Sequence, residues 1–230
     1  MVQSAAIIVA GGSGQRMSHD RPKQYLSLAG IPILARTLIT FDRVPSIGSI
    51  IVVVPHGDTD YVTSRIVNRY HIGKVRHIQA GGDERQDSVR NGLAMTGESD
   101  DIVLIHDGVR PLVTQELIER STQEAARRGA VIPVVLPSDT VKVIDETGSI
   151  KNTPDRTRLR LVQTPQAFRR EIILDAYERA YQEGFYGTDD ASLVERMGVT
   201  VRTIPGSPYN IKITTPEDLL FGEFLLERRR

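Results

Sequence analysis

Short apolar runs alternate with amphipathic stretches along this chain. Four runs rich in small or branched apolar residues have the composition of buried strands: 5–10, 50–54, 102–106 and 130–136. Residues 75–79 are predicted to form a further, short strand. Four stretches carry apolar residues at helical spacing: 33–41, 58–70, 85–95 and 115–127. This alternation predicts an α/β fold with a largely parallel sheet and right-handed crossovers. Ligands of such sheets bind beyond the carboxyl ends of the strands.

The pattern changes after residue 136. Segment 137–161 is typical of a β-hairpin with the turn sequence ETGS, and its last part is basic. It has too few apolar residues for a core of its own, so it either packs on another surface or remains a simple surface hairpin. Beyond it the pattern predicts a strand over 199–204 and three helices: 169–181, 189–197 and 216–226. Thr215 is the expected N-cap of the last helix. The run 188–190 fits the start of the second, with acidic residues in its first turn.

Composition and charge narrow the possible functions. A chain of 230 residues suits a single domain, 1–230, with 137–161 as an arm. Because 29 basic residues balance 29 acidic ones, no global field favours nucleic acid or a membrane surface as partner. The absence of cysteine excludes disulfides, thiol catalysis and cysteine metal sites. With no apolar stretch of about 20 residues and no signal peptide, we expect a cytoplasmic protein.

A glycine-rich loop follows the first apolar run. Gly11, Gly12 and Gly14 allow the backbone N–H groups to approach a ligand closely, and the cations Arg16 and Lys23 come soon after. Neither GxxxxGK[ST] nor GxGxxG fits this loop. Two interpretations of the glycines alone remain open: a triphosphate site, and an ordinary turn with surface cations nearby.

Motifs placed in order from the first strand to near the last helix resemble one family of nucleotidyltransferases. They are AGGSGQRM with RPKQY, GGDERQDSV at 81–89, IHDGVRP at 105–111, DTVK at 139–142, TPQAF at 164–168, TDDAS at 188–192 and NIKIT at 210–214. In these motifs the chain is similar to the 2-C-methyl-D-erythritol 4-phosphate cytidylyltransferases of the non-mevalonate isoprenoid pathway. The resemblance implies a Rossmann-like nucleotidyltransferase fold, with a mostly parallel sheet flanked by helices and a protruding β-hairpin arm.

The resemblance also implies a reaction. A sugar-alcohol phosphate, 2-C-methyl-D-erythritol 4-phosphate, attacks the α-phosphorus of CTP, and pyrophosphate is released. The attacking phosphate oxygen is already ionised near neutral pH, so no general base is needed, and catalysis can rest on alignment and on neutralising charge. Mg²⁺ is the implied cofactor, bridging the triphosphate oxygens with support from water more than from a protein cage.

The same resemblance assigns roles to individual residues. Three cations match catalytic positions: Arg16, Lys23 and Lys212. Six residues match the nucleotide site: Gly11, Gly12, Gly14, Gly82, Asp83 and Ser88. Five match the site of the acceptor: Asp107, Arg110, Thr140, Arg156 and Thr164. The arm, which supplies Thr140 and Arg156, is expected to reach across a two-fold homodimer.

Several of these residues have alternative interpretations. Asp107 and Arg110 could form a structural salt bridge, and Asp107 could instead be a magnesium ligand. Residues 81–83 could be an ordinary turn, and Lys212 could extend to solvent from an apolar run. His106 is expected to be packed or hydrogen-bonded rather than catalytic.

Two other functions fit much of the same pattern. A ribitol 5-phosphate cytidylyltransferase would share the nucleotide motifs and differ chiefly in its acceptor pocket. A nucleotide-binding regulatory protein that has lost turnover would need fewer cations than the three retained here, Arg16, Lys23 and Lys212.

Overall fold

The computed structural model describes residues 3–12 and 22–228. Its strands are β1 (Ser4–Val9), β2 (Ser27–Leu28), β3 (Ile31–Pro32), β4 (Ile47–Val54), β5 (Val75–Ala80), β6 (Ile102–Asp107), β7 (Ala130–Val135), β8 (Val143–Ile144), β9 (Ile150–Asn152), β10 (Leu161–Val162), β11 (Gln166–Arg169) and β12 (Arg202–Pro205). Its α-helices are α1 (Ile33–Asp42), α2 (Thr59–Tyr61), α3 (Arg85–Leu93), α4 (Gln115–Arg128), α5 (Arg170–Gln182), α6 (Asp190–Arg196) and α7 (Pro216–Glu227). Among these described helices, none combines the length and the apolar character needed to cross a bilayer.

The predicted α/β sheet is confirmed. Its strands follow the order β5, β4, β1, β6, β11, β7, and the first four are parallel to one another. β12 pairs in parallel with β7, whereas β10 and β11 pair with β7 in the antiparallel sense. β11 also pairs antiparallel with β6, so it joins the two halves of the sheet.

Helices cover both faces of the central strands. Ala6 and Ile8 of β1 lie in one apolar cluster with side chains of α1 and α4. Ala5 and Ile7 lie in a second cluster with side chains of α3, α5 and α6. All four residues are fully buried. The continuous apolar composition of β1 therefore reflects a strand covered on both sides.

The hairpin predicted within 137–161 is present as β8 and β9. Val143 pairs with Asn152 and Ile144 with Ile150, in a two-stranded sheet separate from the central one. Gly148 takes a positive φ of 83° in the turn, where a side chain would be strained. The apolar side chains of the strands are exposed, so the hairpin has no apolar core of its own.

The predicted starts of the last two helices agree with the structure, whereas one predicted helix differs from it along its length. Thr215 caps α7, because its hydroxyl accepts a hydrogen bond from the backbone N–H of Asp218. Asp189 caps α6 by accepting from Ser192. The helix predicted over 58–70 is different: α2 has only three residues and continues as a π-helix, Val62–Asn68. The short strands β2, β3, β10 and β11 are additions that the pattern did not predict.

The carboxyl ends of four parallel strands lie level with one another. Val9, at the end of β1, pairs with Val53 of β4 on one side and with Asp107 of β6 on the other. Val54 of β4 in turn pairs with Ala80 of β5. The loops that follow β1, β5 and β6 therefore leave the sheet at one edge, where ligands of such folds bind.

Candidate functional site

Two cavities adjoin at this edge of the sheet. The first, of about 340 Å³, is lined by Val9, Ala10, Gly11, Gly12, Lys23, Gln24, Gly82, Asp83, Glu84, Arg85, Ser88, Asp107, Val109 and Lys212. The second, also about 340 Å³, is lined by Arg85, Asp107, Arg110, Val162, Gln163, Thr164, Gln166, Thr188, Asp189 and Lys212. Arg85, Asp107 and Lys212 line both cavities. The two cavities therefore meet at one carboxylate and two cations.

The loop after β5 forms one wall of the first cavity and packs tightly on the start of α3. The N–H of Gly82 donates to Oγ of Ser88 at 3.2 Å, and the N–H of Gly81 donates to the carbonyl of Val54 at 2.8 Å. A Cβ on Gly81 would lie 2.6 Å from Oγ of Ser88, so a larger residue there would displace the Ser88 hydroxyl. Glu84 and Asp87 form a capping box at the start of α3. The backbone of this loop is therefore fixed before any ligand arrives.

The segment that carries Lys23 is tied to the end of β1. Gln24, which is buried, donates from Nε2 to the carbonyl of Ala10 at 2.8 Å. Tyr25 follows in the same short 3₁₀ helix and donates its hydroxyl hydrogen to Asp58 at 2.7 Å. This anchoring places Lys23 in the wall of the first cavity beside Gly11 and Gly12. The expected site residues Gly14 and Arg16 lie outside the described residues.

Asp107 is surrounded by three cations at the boundary of the cavities. Its Oδ2 lies 3.0 Å from Nζ of Lys212 and 3.4 Å from Nε of Arg110. Its Oδ1 lies 3.5 Å from Nε of Arg85. Burial alone would raise the pKa of Asp107, but these cations outweigh it and hold the pKa well below the ordinary value. Asp107 is thus an ionised carboxylate, and its predicted salt bridge with Arg110 is present.

A chain of hydrogen bonds fixes the backbone behind Asp107. His106 is fully buried, and this burial lowers its pKa to about 3, so the ring is neutral. Its Nε2 faces the carbonyl of Arg110 at 3.3 Å and must carry the hydrogen. Its Nδ1 therefore accepts from the hydroxyl of Thr164 at 3.0 Å, and Oγ1 of Thr164 accepts from the N–H of Asp107 at 3.1 Å. His106 is hydrogen-bonded rather than placed for catalysis, as expected.

The segment 210–213 closes the site from the far side. Arg110 donates from Nη1 to the carbonyl of Asn210 at 2.8 Å, and Asn210 donates from Nδ2 to the carbonyl of Thr164 at 2.8 Å. The N–H of Ile213 donates to the carbonyl of Val109 at 2.9 Å. These bonds hold Lys212 against Asp107, with 40% of its side chain exposed. Its ammonium group therefore lies between the cavities rather than simply extending to solvent.

The sequence interpretation missed Arg85. Both terminal nitrogens of Arg85 bind the carboxylate of Asp190, at 3.0 and 2.8 Å, and the hydroxyl of Tyr177 donates to the same carboxylate at 2.6 Å. The signal was present, since Arg85 belongs to GGDERQDSV and Asp190 to TDDAS. However, the partners are 105 residues apart, and no local pattern connects them.

Thr140 and Arg156 are not brought to the cavities of their own chain. Both lie exposed within 137–161. Within the part of the chain that the structure describes, the lining residues of the two cavities include neither of them. One chain therefore assembles the other described candidate residues but leaves these two elsewhere.

The donor set around the first cavity bears on metal binding. Across residues 3–12 and 22–228, no three side chains of His, Asp or Glu gather as a metal-ligand group. The carboxylate of Asp107 already faces three cations, and that of Glu84 accepts from the backbone of α3. Between the two alternatives to acceptor binding by Asp107, this geometry favours the salt bridge over a magnesium ligand.

Comparison with known proteins gives one consistent family. The profile of the family described as "IspD: 2-C-methyl-D-erythritol 4-phosphate cytidylyltransferase" matches residues 4–228. The protein of that name from Syntrophus aciditrophicus is 52% identical over 223 residues, covering 97% of this chain and 95% of the relative. Its namesake from Geobacter metallireducens is 48% identical over 227 residues, covering 97% of both chains.

Solved structures agree with the sequence relatives. The crystal structure of 4-diphosphocytidyl-2C-methyl-D-erythritol synthase from Anaerococcus prevotii superposes with a TM-score of 0.87 at 35% identity, covering 98% of this chain and 96% of the other. That of 2-C-methyl-D-erythritol 4-phosphate cytidylyltransferase from Thermus thermophilus gives a TM-score of 0.81 at 30% identity, covering 99% and 100%.

Proposed function

The chain belongs to the 2-C-methyl-D-erythritol 4-phosphate cytidylyltransferase (IspD) family, and on this premise we propose that its first cavity binds CTP and its second binds the acceptor. The protein is a nucleotidyltransferase that transfers CMP from CTP to 2-C-methyl-D-erythritol 4-phosphate in isoprenoid biosynthesis. One observation carries the assignment of the cavities. Because Arg85, Asp107 and Lys212 line both, two anionic ligands placed in them would meet at a shared group of charges.

The first cavity has the features that a nucleoside triphosphate requires. Loop glycines on two sides, Gly11 and Gly12 after β1 and Gly82 after β5, allow close approach of a ligand to the backbone. In our proposal Gly14 and Arg16 complete the phosphate loop. Asp83 and Ser88 read the amino and carbonyl edge of cytosine, since a site built on such hydrogen bonds rejects bases that leave them unpaired.

The chemical step is a direct displacement in this proposal. An oxygen of the acceptor phosphate attacks the α-phosphorus of CTP. The bond between the α-phosphorus and the oxygen that bridges it to the β-phosphorus breaks, and pyrophosphate leaves with the electron pair. Arg16, Lys23 and Lys212 stabilise the charge that develops on the transferring group. The nucleophile is already ionised, so the reaction needs no base, and neutral His106 has both ring nitrogens engaged.

Residues of the second cavity hold the acceptor. The ionised carboxylate of Asp107 can accept hydrogen bonds from the polyol hydroxyls, while Arg110 can pair with the phosphate. Thr164 gives its hydroxyl hydrogen to His106, so its oxygen can only accept from a ligand. We therefore assign Thr164 to a hydroxyl of the acceptor rather than to a phosphate oxygen.

Mg²⁺ would be carried on the nucleotide. The carboxylates of Asp107 and Glu84 are engaged with cations and with backbone, which fits an ion held by triphosphate oxygens and water. When bound, such an ion neutralises phosphate charge and helps the pyrophosphate to leave. The protein contributes the surrounding cations and the shape of the cavity.

The arm supports a two-fold homodimer as the working form. Val143, Ile144 and Ile150 leave 40 to 64% of their surfaces exposed on a hairpin without its own core. Thr140 and Arg156 stand on this arm, away from the cavities of their own chain. Exchange of arms across a two-fold axis would cover the apolar residues and bring both polar ones to the partner's acceptor cavity. We place this enzyme in the cytoplasm, with no nucleic-acid or membrane partner.

Release of pyrophosphate tests the assignment of the acceptor. The purified protein is incubated with CTP, Mg²⁺ and either 2-C-methyl-D-erythritol 4-phosphate or ribitol 5-phosphate, with a control that lacks an acceptor. We expect release with the first acceptor and at least about a tenfold lower kcat/KM with the second. A preference for ribitol 5-phosphate would support the other cytidylyltransferase activity. Binding of CTP without turnover on either acceptor would support the regulatory function instead.

A further inference from the structure

We propose that Arg85 is a positioning residue for Asp107, and that buried Asp190 and Tyr177 hold its guanidinium group in place. This inference rests on the proposed function, because it assigns Asp107 to the acceptor. It adds three residues, from α3, α5 and α6, to the machinery of the reaction. None of the three was matched to a role by the sequence motifs.

The guanidinium group of Arg85 contacts two carboxylates. Its two terminal nitrogens bind Asp190 as a fork, at 3.0 and 2.8 Å, while Nε faces Oδ1 of Asp107 at 3.5 Å. Asp190 is fully buried and also accepts the Tyr177 hydroxyl at 2.6 Å. A two-pronged, charge-assisted pair of this kind fixes orientation as well as position. The fork therefore sets the direction in which Nε points.

The other two cations at Asp107 are held differently. Lys212 and Arg110 both contact Oδ2, and in the proposed reaction both also act on phosphate groups. When two anionic substrates arrive, these cations are shared with the phosphates. Arg85 already has a carboxylate on its fork, so its contact with Oδ1 persists. Arg85 thereby keeps the carboxylate of Asp107 oriented toward the hydroxyls of the acceptor throughout the reaction.

A purely structural role is the alternative that the test must separate. Removing Arg85 alone would leave the buried charge of Asp190 unpaired, and the protein would be destabilised. A loss of activity in Arg85→Met could then reflect unfolding. The double variant Arg85→Met/Asp190→Asn removes both charges together and retains an oxygen to accept from Tyr177, so we expect it to fold.

The experiment measures melting temperature and the KM values for both substrates in the holoenzyme, with CTP, Mg²⁺ and 2-C-methyl-D-erythritol 4-phosphate. We expect the double variant to melt within a few degrees of the wild type. Its KM for the acceptor should rise about tenfold or more, whereas its KM for CTP should change less than about twofold. The matched control is Glu183→Gln, which removes the surface ion pairs of Glu183 with Arg179 of α5 and Arg196 of α6. We expect both KM values of this control to equal those of the wild type.

Acceptor KM equal to that of the wild type in the folded double variant would overturn the proposal, as would an equal rise in both KM values. If the double variant does not fold, Arg85→Lys decides. Lysine retains the charge that Asp190 requires but cannot present a fork to one carboxylate and a third nitrogen to another. A raised acceptor KM in folded Arg85→Lys supports positioning, and an unchanged one rejects it. Turnover by the wild-type protein tests the proposed function separately.

Discussion

Nζ of Lys212 lies 3.0 Å from Oδ2 of Asp107, at the point where the two cavities meet. Asp107 ends a buried strand, whereas Lys212 belongs to an irregular segment just before α7. The contact therefore joins distant parts of the chain at the place proposed for phosphoryl transfer. It holds a cation near the reacting groups before substrates bind, so less reorganisation is needed during the reaction.

Removal of a catalytic cation should affect turnover more than binding. We expect Lys23→Ala, Arg16→Ala and Lys212→Ala each to lower kcat roughly 100- to 1,000-fold, because they act on charge that develops in the transition state. Steady-state kinetics with CTP as the varied substrate measures this, and the KM for CTP should change much less. Arg127→Ala, which removes an exposed cation on α4, is the control. Turnover near that of the wild type in a folded variant would reject the role of that cation.

The choice of base should depend on Ser88. Its Oγ accepts from the N–H of Gly82 and lines the first cavity. We expect the unmodified protein to prefer CTP strongly over UTP and purine triphosphates, and Ser88→Ala to erode that preference, because a base-reading group is lost. Competition assays with pairs of nucleotides measure the ratio of kcat/KM values. Equal use of UTP by the unmodified protein would show that the pocket is assigned wrongly.

The stability of the folded protein should decrease as the pH is lowered, because His106 is buried in its neutral form. Burial lowers its pKa from 6.5 to about 3, so the unfolded chain takes up a proton at a higher pH than the folded protein does. The free energy of unfolding should therefore be highest above about pH 6.5. Protonation of His106 in the unfolded chain should lower it by about 2 kcal/mol as the pH falls from 7 to 5. Denaturant unfolding across this range measures the loss. His106→Gln should show a shallower dependence, and an identical slope in both proteins would contradict a buried neutral histidine.

Mixed dimers should show whether the arm acts on its partner. Chains with Lys23→Ala and chains with Arg156→Ala, each inactive alone, are co-expressed so that they pair at random. If Arg156 acts across the two-fold axis, one site of each mixed dimer carries both defects and the other carries none. Activity should then return to roughly a quarter of all sites. If Arg156 acts within its own chain, every site keeps one defect and activity stays absent.

Local patterns in the sequence predicted the elements whose structure is determined by residues near them in the chain. β1, β4 and β6 are buried on both faces, and their continuous apolar composition identified them. Thr215 was recognisable as an N-cap because proline follows it and acidic residues occupy the next turn. In contrast, β11 has only four residues, and it is a strand because β6 and β7 lie on either side of it. Such short segments take their structure from tertiary pairing.

Some features of the candidate site were also predictable from the sequence, whereas others depend on tertiary contacts. The resemblance of motifs supplied Lys23, Ser88, Asp107 and Lys212, which the structure gathers around the first cavity. The pairing of Arg85 with Asp190 depends on how α3 packs beside α6, and no spacing in the sequence encodes it. The tautomer of His106 likewise depends on contacts to Arg110 and Thr164, which are known only from the fold.

In the proposed reaction, CMP passes directly from the nucleotide in the first cavity to the acceptor in the second. The stereochemistry at the α-phosphorus tests it. CTP with sulfur in place of one non-bridging α-oxygen, as a single diastereomer, is converted in the presence of 2-C-methyl-D-erythritol 4-phosphate, and the configuration of the product is determined by ³¹P NMR. A single in-line displacement predicts inversion. Retention would require two successive displacements through an intermediate on the protein and would contradict the direct transfer proposed for the shared boundary of the cavities.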